Sequence, residues 1–179
     1  MGTGIDLPDG VRILPLVPHH DQRGRLVELF RQSWLPEGAA LQWNLVSSVP
    51  NTFRGVHVHP LHTDYLTVAH GRMTIMVKDL RPHSPTRGLS AMLPFDGEAP
   101  QAAVIPPGVA HGFYSHDATV HVYGVTEYWD GSDEFGCRWN DPALELAWPF
   151  TDPLLSERDI LAGSYDEMMA AVAGLGAFA

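Results

Sequence analysis

The sequence predicts an all-β domain, folded as a sandwich or a closed barrel. Short runs rich in Val, Leu, Thr and aromatic residues are separated by clusters of Pro, Gly, Asn and Asp, which is typical of strands joined by tight turns. The 15 prolines and 17 glycines suit many such turns. Helical patterning is confined to the end of the chain, so the sequence favours packed β-sheet over alternating strands and helices.

The predicted elements follow in chain order. An apolar run at 11–17 predicts an edge strand. Further strands are predicted at 41–48, 65–70, 73–79, 102–105 and 119–128. Two short helices are predicted within 156–172, and their starts are indicated by two capping patterns, Ser156 with Asp159 and Ser164 with Glu167. The chain is thus predicted as a β-domain followed by C-terminal helices.

Length and charge narrow the class of protein. We predict one domain spanning 1–179, since the chain is long enough to bury a core and no linker, repeat or low-complexity tract divides it. A formal net charge of −10 argues against nucleic-acid binding, which needs clustered Lys and Arg. The sequence lacks an apolar stretch of membrane-spanning length and a signal-peptide layout, so a cytoplasmic protein without membrane contact is predicted. The single cysteine, Cys137, excludes an internal disulfide.

Polar residues recur at every second position along several predicted strands. Because successive side chains of a strand point to opposite faces, the members of each pair share a face. The pairs are Gln42 with Asn44, His57 with His59, and His121 with Tyr123. A small barrel has an interior just wide enough for side chains or one small ligand, and polar groups inside it need partners. The sequence therefore predicts a polar interior, in which His59 and His111 are candidate substrate-binding residues.

Two motifs resemble those of the cupin superfamily. The first comprises His57, His59, Asp64 and Gly71, and the second comprises Pro106, Gly108 and His111. Cupins often bind a divalent metal through such residues, and imidazoles with a carboxylate suit Fe, Mn, Ni or Zn. The resemblance implies a candidate metal set of His57, His59, Asp64 and His111. The spacing alone is equally compatible with polar residues that are simply hydrogen-bonded within strands.

Over most of its length the chain resembles the dTDP-4-dehydrorhamnose 3,5-epimerase family of that superfamily. Matching segments occur in the same order between residues 11 and 160. They are 21–24, 54–57, 79–81, 84–86, 105–106, 110–113, 139–142, 148–149 and 155–159, together with Glu28, Gln42, Asn44, Ser48 and Gly108. The resemblance implies a cupin-type β-barrel or jelly roll, the double-stranded β-helix, with short C-terminal helices.

The resemblance also implies a reaction and its proton-transfer groups. Members epimerise a nucleotide-linked 4-keto sugar beside its carbonyl, which requires a general base for the C–H proton and a donor for the enolate oxygen. The position of the base is occupied by His57, and Asp159 occupies that of the carboxylate that orients it. Tyr123 matches the tyrosine that returns a proton on the opposite face, and His111 matches a histidine of the same pocket.

The same resemblance assigns residues to the nucleotide part of the substrate. Arg23 and Arg54 match arginines that bind the diphosphate, a task suited to planar guanidinium groups, and this role is favoured over that of a solvated surface charge. Trp129 stands where a tyrosine is frequent, and its ring can still stack on the base. Gln42, Asn44 and Ser48 match residues that surround the nucleotide in the family. Glu28 lies near them, and its partner is predicted to be the thymine or an arginine.

Two substitutions depart from the family pattern. His59 stands where the family usually has Gln, and Asp64 stands where it has a lysine near the sugar carbonyl. Loss of that cation removes electrostatic stabilisation of the enolate. The positive charge would then come from a protonated His59 or His62, from Arg72, or from a metal held by the candidate set above. A metal bound to His57 would prevent that ring from acting as the base.

Three hypotheses for function follow. The first is epimerisation at C3, or at C3 and C5, of a dTDP-linked 4-keto-6-deoxyhexose, with His57 as base, Tyr123 as acid and no cofactor. The second is a nucleotide-sugar 3,4-ketoisomerase, because that related group also has two histidines at this place. The third is a metal-dependent cupin, or a cupin that binds a sugar without catalysis. The resemblance further implies a homodimer in which sheets pair or exchange an N-terminal strand.

Overall fold

The computed structural model describes residues 5–174, which form two five-stranded sheets and one separate two-stranded hairpin. The strands of this part of the chain are β1 (Arg12–Pro15), β2 (Pro18–Asp21), β3 (Gly24–Val27), β4 (Gln42–Ser48), β5 (Thr52–Val58), β6 (Asp64–His70), β7 (Arg72–Asp79), β8 (Ser90–Asp96), β9 (Gln101–Ile105), β10 (Val109–Ser115), β11 (Thr119–Val125) and β12 (Phe135–Gly136). The α-helices are α1 (Glu157–Ile160) and α2 (Tyr165–Gly174), and 3-10 turns occupy Gln32–Trp34 and Pro142–Leu144.

The order of strands in each sheet is that of a jelly roll. The first sheet runs β1-β9-β6-β11-β4, and the second runs β12-β5-β10-β7-β8. Consecutive strands such as β4 and β5, or β5 and β6, therefore lie in different sheets, and the chain crosses repeatedly between them. The pairings within both sheets are antiparallel. The predicted all-β class is confirmed.

The space between the sheets is apolar at one end. Leu66 and Val68 of β6 belong to one buried cluster with Ile75 and Val77 of β7 and Phe95 of β8. Burying a side chain of this size contributes about 1.5–3 kcal/mol. This cluster therefore stabilises the packing of one sheet on the other.

The outer face of each sheet is covered by a terminal part of the chain. On the second sheet, Val56 of β5 packs in a cluster that includes Met168 of α2. On the first sheet, Tyr65 of β6 packs with Leu35, and its hydroxyl donates to the carbonyl oxygen of Leu29 at 2.6 Å. Part of each outer face is thus buried, and the space between the sheets is left as the place for a site.

The inward faces of the strands become polar toward the other end of the sandwich. Asp64 shares the inward face of Leu66, whereas Tyr65 between them packs on the outer side. On β11, His121 and Tyr123 both face the interior, as their spacing predicts. The side chains that could not pack in an apolar core are therefore gathered at one end.

An irregularity in β5 decides which of its side chains face inward. Against β10, His57 is opposite His111. Arg54 is opposite Phe113. Between these two pairs β5 advances by three residues and β10 by two, so β5 carries one extra residue, a β-bulge. Strict alternation would turn Arg54 and His57 to opposite faces, whereas both line the interior. Within the irregularity Gly55 has φ +134°, and a Cβ on it would lie 2.7 Å from the backbone of β10.

Most predicted strands agree with the observed ones to within a residue. The run at 11–17 contains β1, which is an edge strand as predicted, and the strand predicted at 119–128 ends earlier, at Val125. The sequence did not predict β8, β12 or the hairpin of β2 and β3, and no bounds were predicted for β5 or β10. Pro94 weakens the strand pattern of β8, but β8 lies at a sheet edge, where proline is tolerated. The hairpin is mostly exposed and polar, so it lacks the alternation of a buried strand.

Both predicted helices are present. The Ser156 side chain caps α1 by accepting a hydrogen bond from the Asp159 backbone N–H at 3.1 Å. Ser164 and Glu167 form a reciprocal capping box at the start of α2, since each backbone N–H donates to the other side chain. No helix within residues 5–174 is long and apolar enough to cross a membrane.

We predict that Gly55→Ala destabilises the fold more than Gly24→Ala does. The two glycines have similar φ angles, +134° and +129°, but a Cβ at Gly24 meets nothing within 4 Å. The difference between the variants therefore isolates the close approach of β5 to β10, and we expect it to be about 2 kcal/mol or more. Urea unfolding of the two variants measures this difference. Equal losses of stability in the two variants would show that the close approach of β5 to β10 does not disfavour a side chain at position 55.

Candidate active site

The polar end of the sandwich encloses a cavity of about 240 Å³ between the two sheets. Strands β4, β5, β6, β10 and β11 contribute to its walls, together with the segment after β11 and the start of α1. Its polar and charged lining residues include Asn44, Arg54, His57, His59, His62, Asp64, His111, His121, Tyr123, Glu134, Arg158 and Asp159. Five of them are histidines, so the cavity is suited to proton transfer or to metal binding.

His57 and Asp159 form a hydrogen-bonded pair in the cavity wall. The Nε2 atom of His57 lies 3.0 Å from Oδ1 of Asp159. Burial acts to raise the pKa of Asp159, but the hydrogen bond and the charge of His57 outweigh it, so the net shift is downward and the carboxylate stays ionised. An ionised partner makes Nε2 the donor. The other ring nitrogen, Nδ1, is then free to accept a proton.

A second carboxylate, Glu134, faces that other nitrogen. Its Oε1 atom lies 3.8 Å from the Nδ1 atom of His57. Arg158 donates to the same oxygen, and the Nε1 atom of Trp129 donates to Oε2 at 2.6 Å. Burial acts to raise the pKa of Glu134, but the hydrogen bonds from Arg158 and Trp129 bring it below its ordinary value. An imidazolium at His57 would therefore lie between two carboxylates, which stabilises its charge.

Sequence reasoning missed Glu134 and Arg158. Glu134 ends an acidic stretch that is typical of a solvated loop, and no spacing rule predicts that this loop folds over the cavity. Arg158 immediately precedes Asp159, within a segment that matches the family pattern. That adjacency to the predicted carboxylate is the one signal that could have indicated it.

Tyr123 lies on the wall opposite His57. Its side chain projects from β11 of the first sheet into the cavity that His57 enters from β5 of the second. Burial raises the pKa of the phenol, and the negative charges of Asp64 and Glu134 raise it further. The phenol is therefore protonated at neutral pH and can donate a proton.

Four more deeply buried residues form a second group in the same cavity. The rings of His59 and His62 stack with their centroids 4.2 Å apart, and the His111 ring lies 5.1 Å from that of His59. The Oδ2 atom of Asp64 lies 3.7 Å from Nε2 of His62 and 3.9 Å from Nε2 of His111, beyond hydrogen-bond distance. Burial lowers the pKa of His59, and it lowers that of His111 to about 3, so both rings are neutral at pH 7. Burial, together with nearby carboxylates, raises the pKa of Asp64.

The predicted metal ligands do not all belong to this group. Within the described residues, ligand atoms of His59, His62 and Asp64 lie within 4.8 Å of one another, which is close enough to share a metal ion. Two of the predicted ligands, His57 and His111, lie outside that set, and the Nε2 atom of His57 is hydrogen-bonded to Asp159. His62, which the sequence offered only as a source of positive charge, joins it.

Five of the residues predicted to bind the nucleotide form two hydrogen-bonded groups beside the cavity. The Nε atom of Arg54 donates to Oγ of Ser48 at 3.2 Å. The side chain of Gln42 donates to Oδ1 of Asn44 and accepts from the backbone N–H of Trp129, both at 3.1 Å. Three of these five residues line the cavity, namely Arg54, Asn44 and Trp129, and the other two hold them in place.

Three buried nitrogens that belong to lining residues lack a hydrogen-bond partner among the described residues. They are Nδ2 of Asn44, Nδ1 of His59 and Nδ1 of His121. An unsatisfied buried donor or acceptor costs about 1–3 kcal/mol. A polar ligand in the cavity would supply the missing partners.

Arg23 and Glu28 do not line the cavity. Arg23 lies at the turn between β2 and β3, where its side chain is 85% exposed and pairs with Asp21 at 2.5 Å. The prediction that Arg23 grips the diphosphate is therefore not met within a single chain, because the hairpin holds this side chain in solvent. Of the two partners predicted for Glu28, the structure shows an arginine, since Arg31 contacts it at 2.6 Å.

A histidine paired with a carboxylate on one wall of a polar cavity and a tyrosine on the other are residue types that can transfer protons at opposite faces of a ligand, and here they are carried by a cupin-type jelly roll. The fold and site thus define an acid–base enzyme of the isomerase class. The comparison with known families agrees. The chain belongs to the dTDP-4-dehydrorhamnose 3,5-epimerase family, whose sequence pattern matches residues 6–167.

Individual relatives confirm the family and the predicted cupin-type fold. A dTDP-4-dehydrorhamnose 3,5-epimerase of Neisseria gonorrhoeae is 35% identical over 162 residues, and the alignment covers 86% of this chain but only 49% of that protein. The chain therefore spans about half the length of that relative. A crystal structure of dTDP-6-deoxy-D-glucose-3,5-epimerase from Legionella pneumophila, in complex with dTDP-4-keto-L-rhamnose, has a TM-score of 0.85 at 27% identity over 94% of each chain. A 3′-monoepimerase from Streptomyces bikiniensis, in complex with dTDP-quinovose, has a TM-score of 0.83 at 29% identity over 97% of this chain and 90% of that one.

We predict that the protein loses stability as the pH falls below about 6.5 and that His121→Phe weakens this loss. Burial, together with the charge of Arg54, lowers the pKa of His121 to about 4 from the ordinary value of 6.5. Between these two values the unfolded state binds a proton that the folded state excludes, so acid favours unfolding. The contribution is about 1.4 kcal/mol per pH unit for one such histidine.

Urea unfolding between about pH 4 and pH 7 measures this dependence. Phe fills the space of the imidazole without titrating, so the slope of stability against pH should decrease in His121→Phe. His83→Asn changes an exposed histidine and should keep the slope of the parent. A slope that His121→Phe leaves unchanged would contradict a neutral, buried ring at this position.

Proposed function

We propose that the protein epimerises a dTDP-linked 4-keto-6-deoxyhexose at C3, or at C3 and C5. The observation that carries the proposal is the hydrogen bond of His57 with Asp159, in a cavity whose opposite wall presents Tyr123. Membership of the epimerase family supports the reaction class. The ligands bound to the two related crystal structures support a dTDP-linked sugar as substrate.

The first step is removal of the proton on the carbon beside the sugar carbonyl. His57 accepts this proton at Nδ1, since Nε2 already donates to Asp159. The electrons of the broken C–H bond move into the carbonyl and form an enolate. The imidazolium is stabilised by Asp159 at 3.0 Å and by Glu134 at 3.8 Å.

The second step returns a proton to the opposite face of the same carbon. Tyr123 projects from the sheet that faces His57 and is protonated at neutral pH, so its phenol can donate from that side. Collapse of the enolate restores the ketone with an inverted carbon. Proton exchange with solvent then returns Tyr123 to the phenol and His57 to the neutral imidazole.

The nucleotide is assigned to the part of the cavity beside Arg54. In the described residues the guanidinium of Arg54 makes one hydrogen bond, from Nε to Ser48, so its other N–H groups can bind a diphosphate. The Trp129 side chain is 58% exposed, and its ring offers a surface on which thymine can stack. Asn44 adds an unpartnered Nδ2 donor. Gln42 contacts Asn44 and Trp129, and Ser48 contacts Arg54, so we propose that Gln42 and Ser48 contribute to binding by positioning these side chains.

The proposed reaction needs no cofactor, because the chain itself supplies the base, the acid and the groups that stabilise the imidazolium. The divalent metal predicted as an alternative had His57 among its ligands, and a metal bound there would prevent that ring from acting as the base. Because Nε2 of His57 is hydrogen-bonded to Asp159, and His57 lies outside the group formed by His59, His62 and Asp64, we favour the reaction without a metal.

A nucleotide-sugar 3,4-ketoisomerase is the second candidate. It is favoured by His59, a second histidine that lines the cavity and has an unpartnered Nδ1 atom. Such an enzyme would move protons between C3 and C4 and yield a 3-keto product. A cupin that only binds a sugar is the third candidate, and it would show no exchange of carbon-bound hydrogen. The cytoplasmic location stays a prediction from the sequence.

We predict that the protein incorporates deuterium from D₂O at C3 of a dTDP-linked 4-keto-6-deoxyhexose. His57→Asn should lower the exchange rate by about 1,000-fold or more, because Asn cannot accept the proton. Tyr123→Phe should retain exchange through His57 but lose inversion. Mass spectrometry of the sugar measures exchange, and NMR coupling constants report the configuration.

His83→Asn is the control for these variants, since His83 is an exposed turn residue outside the cavity, and it should exchange at the parent rate. An absence of exchange with every dTDP-linked 4-keto sugar tested would contradict the epimerase proposal. A 3-keto product that disappears in His59→Gln would select the ketoisomerase instead.

We also propose that the protein is a homodimer. Strand β4 is one of the two edge strands of the first sheet. Its outward face exposes Trp43 at 39% and Leu45 at 68%, and Leu41, just before the strand, is 45% exposed. A second copy placed against this face would bury that apolar surface. Dimerisation could also bring Arg23 of one protomer to the diphosphate bound by the other, which would reconcile its exposed position with its predicted role.

We predict that Leu45→Lys shifts the protein from dimer to monomer. A charge at the centre of a buried apolar contact would be desolvated without a partner, so association should weaken by about 100-fold or more. Light scattering coupled to size-exclusion chromatography measures the mass. Leu161→Lys, at a position that is 74% exposed on the C-terminal segment, should stay dimeric. A monomeric parent protein, or a dimer unaffected by Leu45→Lys, would exclude this interface.

A further inference from the structure

A buried histidine of the cavity, His121, has no role in the proton transfer proposed above. It projects inward from β11, two positions before Tyr123, and is 2% exposed. Its Nδ1 atom has no hydrogen-bond partner among the described residues. A buried polar group without a partner is unfavourable unless a ligand or water satisfies it. His121 is therefore a candidate contact for a bound ligand.

The surroundings of His121 are apolar apart from one cation. Val46 of β4 and Val68 of β6 stand directly opposite it in the first sheet. From the second sheet, Phe113 of β10 faces it with the ring centroids 5.8 Å apart. Arg54 of β5 is the group in the described part of the chain whose charge acts on the ring. Because apolar walls screen charge weakly, His121 would interact strongly with an ion placed beside Arg54.

Charge is distributed unevenly along this wall of the cavity. Tyr123 is the next inward residue of β11, and its ring lies 6.3 Å from that of His121. The negative charges of Asp64 and Glu134 act on the phenol. The charge that acts on His121 is instead the positive charge of Arg54, and burial with this charge lowers the pKa of the ring to about 4. The end of the cavity at Arg54 and His121 is therefore the end suited to an anion.

We propose that His121 joins Arg54 in binding the diphosphate of the nucleotide sugar and takes up a proton when that anion enters the cavity. The identity of the anion rests on the proposed function, which places the diphosphate beside Arg54. The Arg54 guanidinium donates to Ser48 through Nε and keeps its other N–H groups for phosphate oxygens. His121 supplies an imidazole N–H to the same anion from the opposite sheet.

The proton uptake follows from the change of charge beside the ring. Burial and the charge of Arg54 both disfavour the imidazolium when no anion is bound. Each phosphate of the diphosphate carries a negative charge, and together these charges exceed that of Arg54. The bound anion therefore favours the imidazolium and raises the pKa of His121. Between the pKa of the free protein and the higher pKa of the complex, binding is accompanied by proton uptake, so affinity increases as the pH falls.

Calorimetric titration of the untagged protein with dTDP-glucose tests the proposal. This probe has the diphosphate but no keto group, so it binds without reacting, and it has no terminal phosphate that would itself titrate near neutral pH. Titrations at about pH 6 in two buffers of different ionisation enthalpy give the number of protons taken up. We expect about half a proton or more per bound ligand, and an affinity that is severalfold higher at about pH 5.5 than at about pH 7.5.

Two substitutions separate the hydrogen bond of His121 from its charge. His121→Gln keeps an N–H donor that does not titrate, so it should retain most of the affinity at about pH 7.5 but lose the proton uptake. His121→Phe should lose both, with affinity weakened by about 10-fold or more at about pH 6. His83→Asn changes an exposed histidine outside the cavity and should match the parent. Circular dichroism checks that each variant is folded.

Three results would overturn the role of His121. They are binding of dTDP-glucose by the parent without proton uptake, uptake that persists in the folded His121 variants, and an unchanged affinity in His121→Phe. A folded parent that does not bind the probe would overturn the role as well, and the deuterium-exchange assay would show separately whether the protein acts on a sugar. Failure of the proposed function gives a different result, because proton uptake at His121 would then persist although no hydrogen is exchanged with any dTDP-linked 4-keto sugar.

Discussion

The hydrogen bond between His57 and Asp159 joins two residues that are 102 positions apart in the chain. It forms only if β5 turns the His57 side chain toward the cavity. It also requires that α1 begin at Glu157, a start that the N-terminal cap of Ser156 determines. The first condition depends on the extra residue that β5 carries opposite β10. The second depends on one helical turn docked at the cavity. The C-terminal segment is therefore part of the site as well as a cover for the second sheet. A change in its packing would move Asp159 away from His57, the proposed base.

The cavity holds histidines in two different electrostatic environments. The His57 ring lies beside the ionised carboxylates of Asp159 and Glu134, at 3.0 Å and 3.8 Å. His59 and His111 are more deeply buried, and burial lowers the pKa of each, so both stay neutral at pH 7. A neutral imidazole can bind a metal or accept a hydrogen bond, but it adds no positive charge to the cavity. His57 and His59, only two positions apart in the chain, thus stand in different electrostatic environments.

Much of the architecture could be predicted because its signals are local. Alternation along β4 and β11 places their polar side chains inward, and the capping residues of both helices stand within one turn of each other. The inward position of Arg54 together with His57 could not be predicted by alternation, since it arises from the pairing of β5 with β10. Glu134 and His62 lie in loops whose course is set by tertiary packing, and their residue types are equally common on solvated surfaces. The family resemblance places Arg23 in the site, but it cannot show that the hairpin holds this side chain in solvent.

Formation of an enolate adds negative charge to a cavity that already contains carboxylates. Its charged lining residues are Asp64, Glu134, Asp159, Arg54 and Arg158. Arg158 is paired with Glu134, and Arg54 lies where we place the diphosphate, so neither guanidinium is free for the sugar carbonyl. In the proposed reaction the charge of the His57 imidazolium is balanced by Asp159 and Glu134, so it is not free for the enolate. A protonated carboxyl at Asp64 would remove one repulsion but supply only the partial charge of an O–H group.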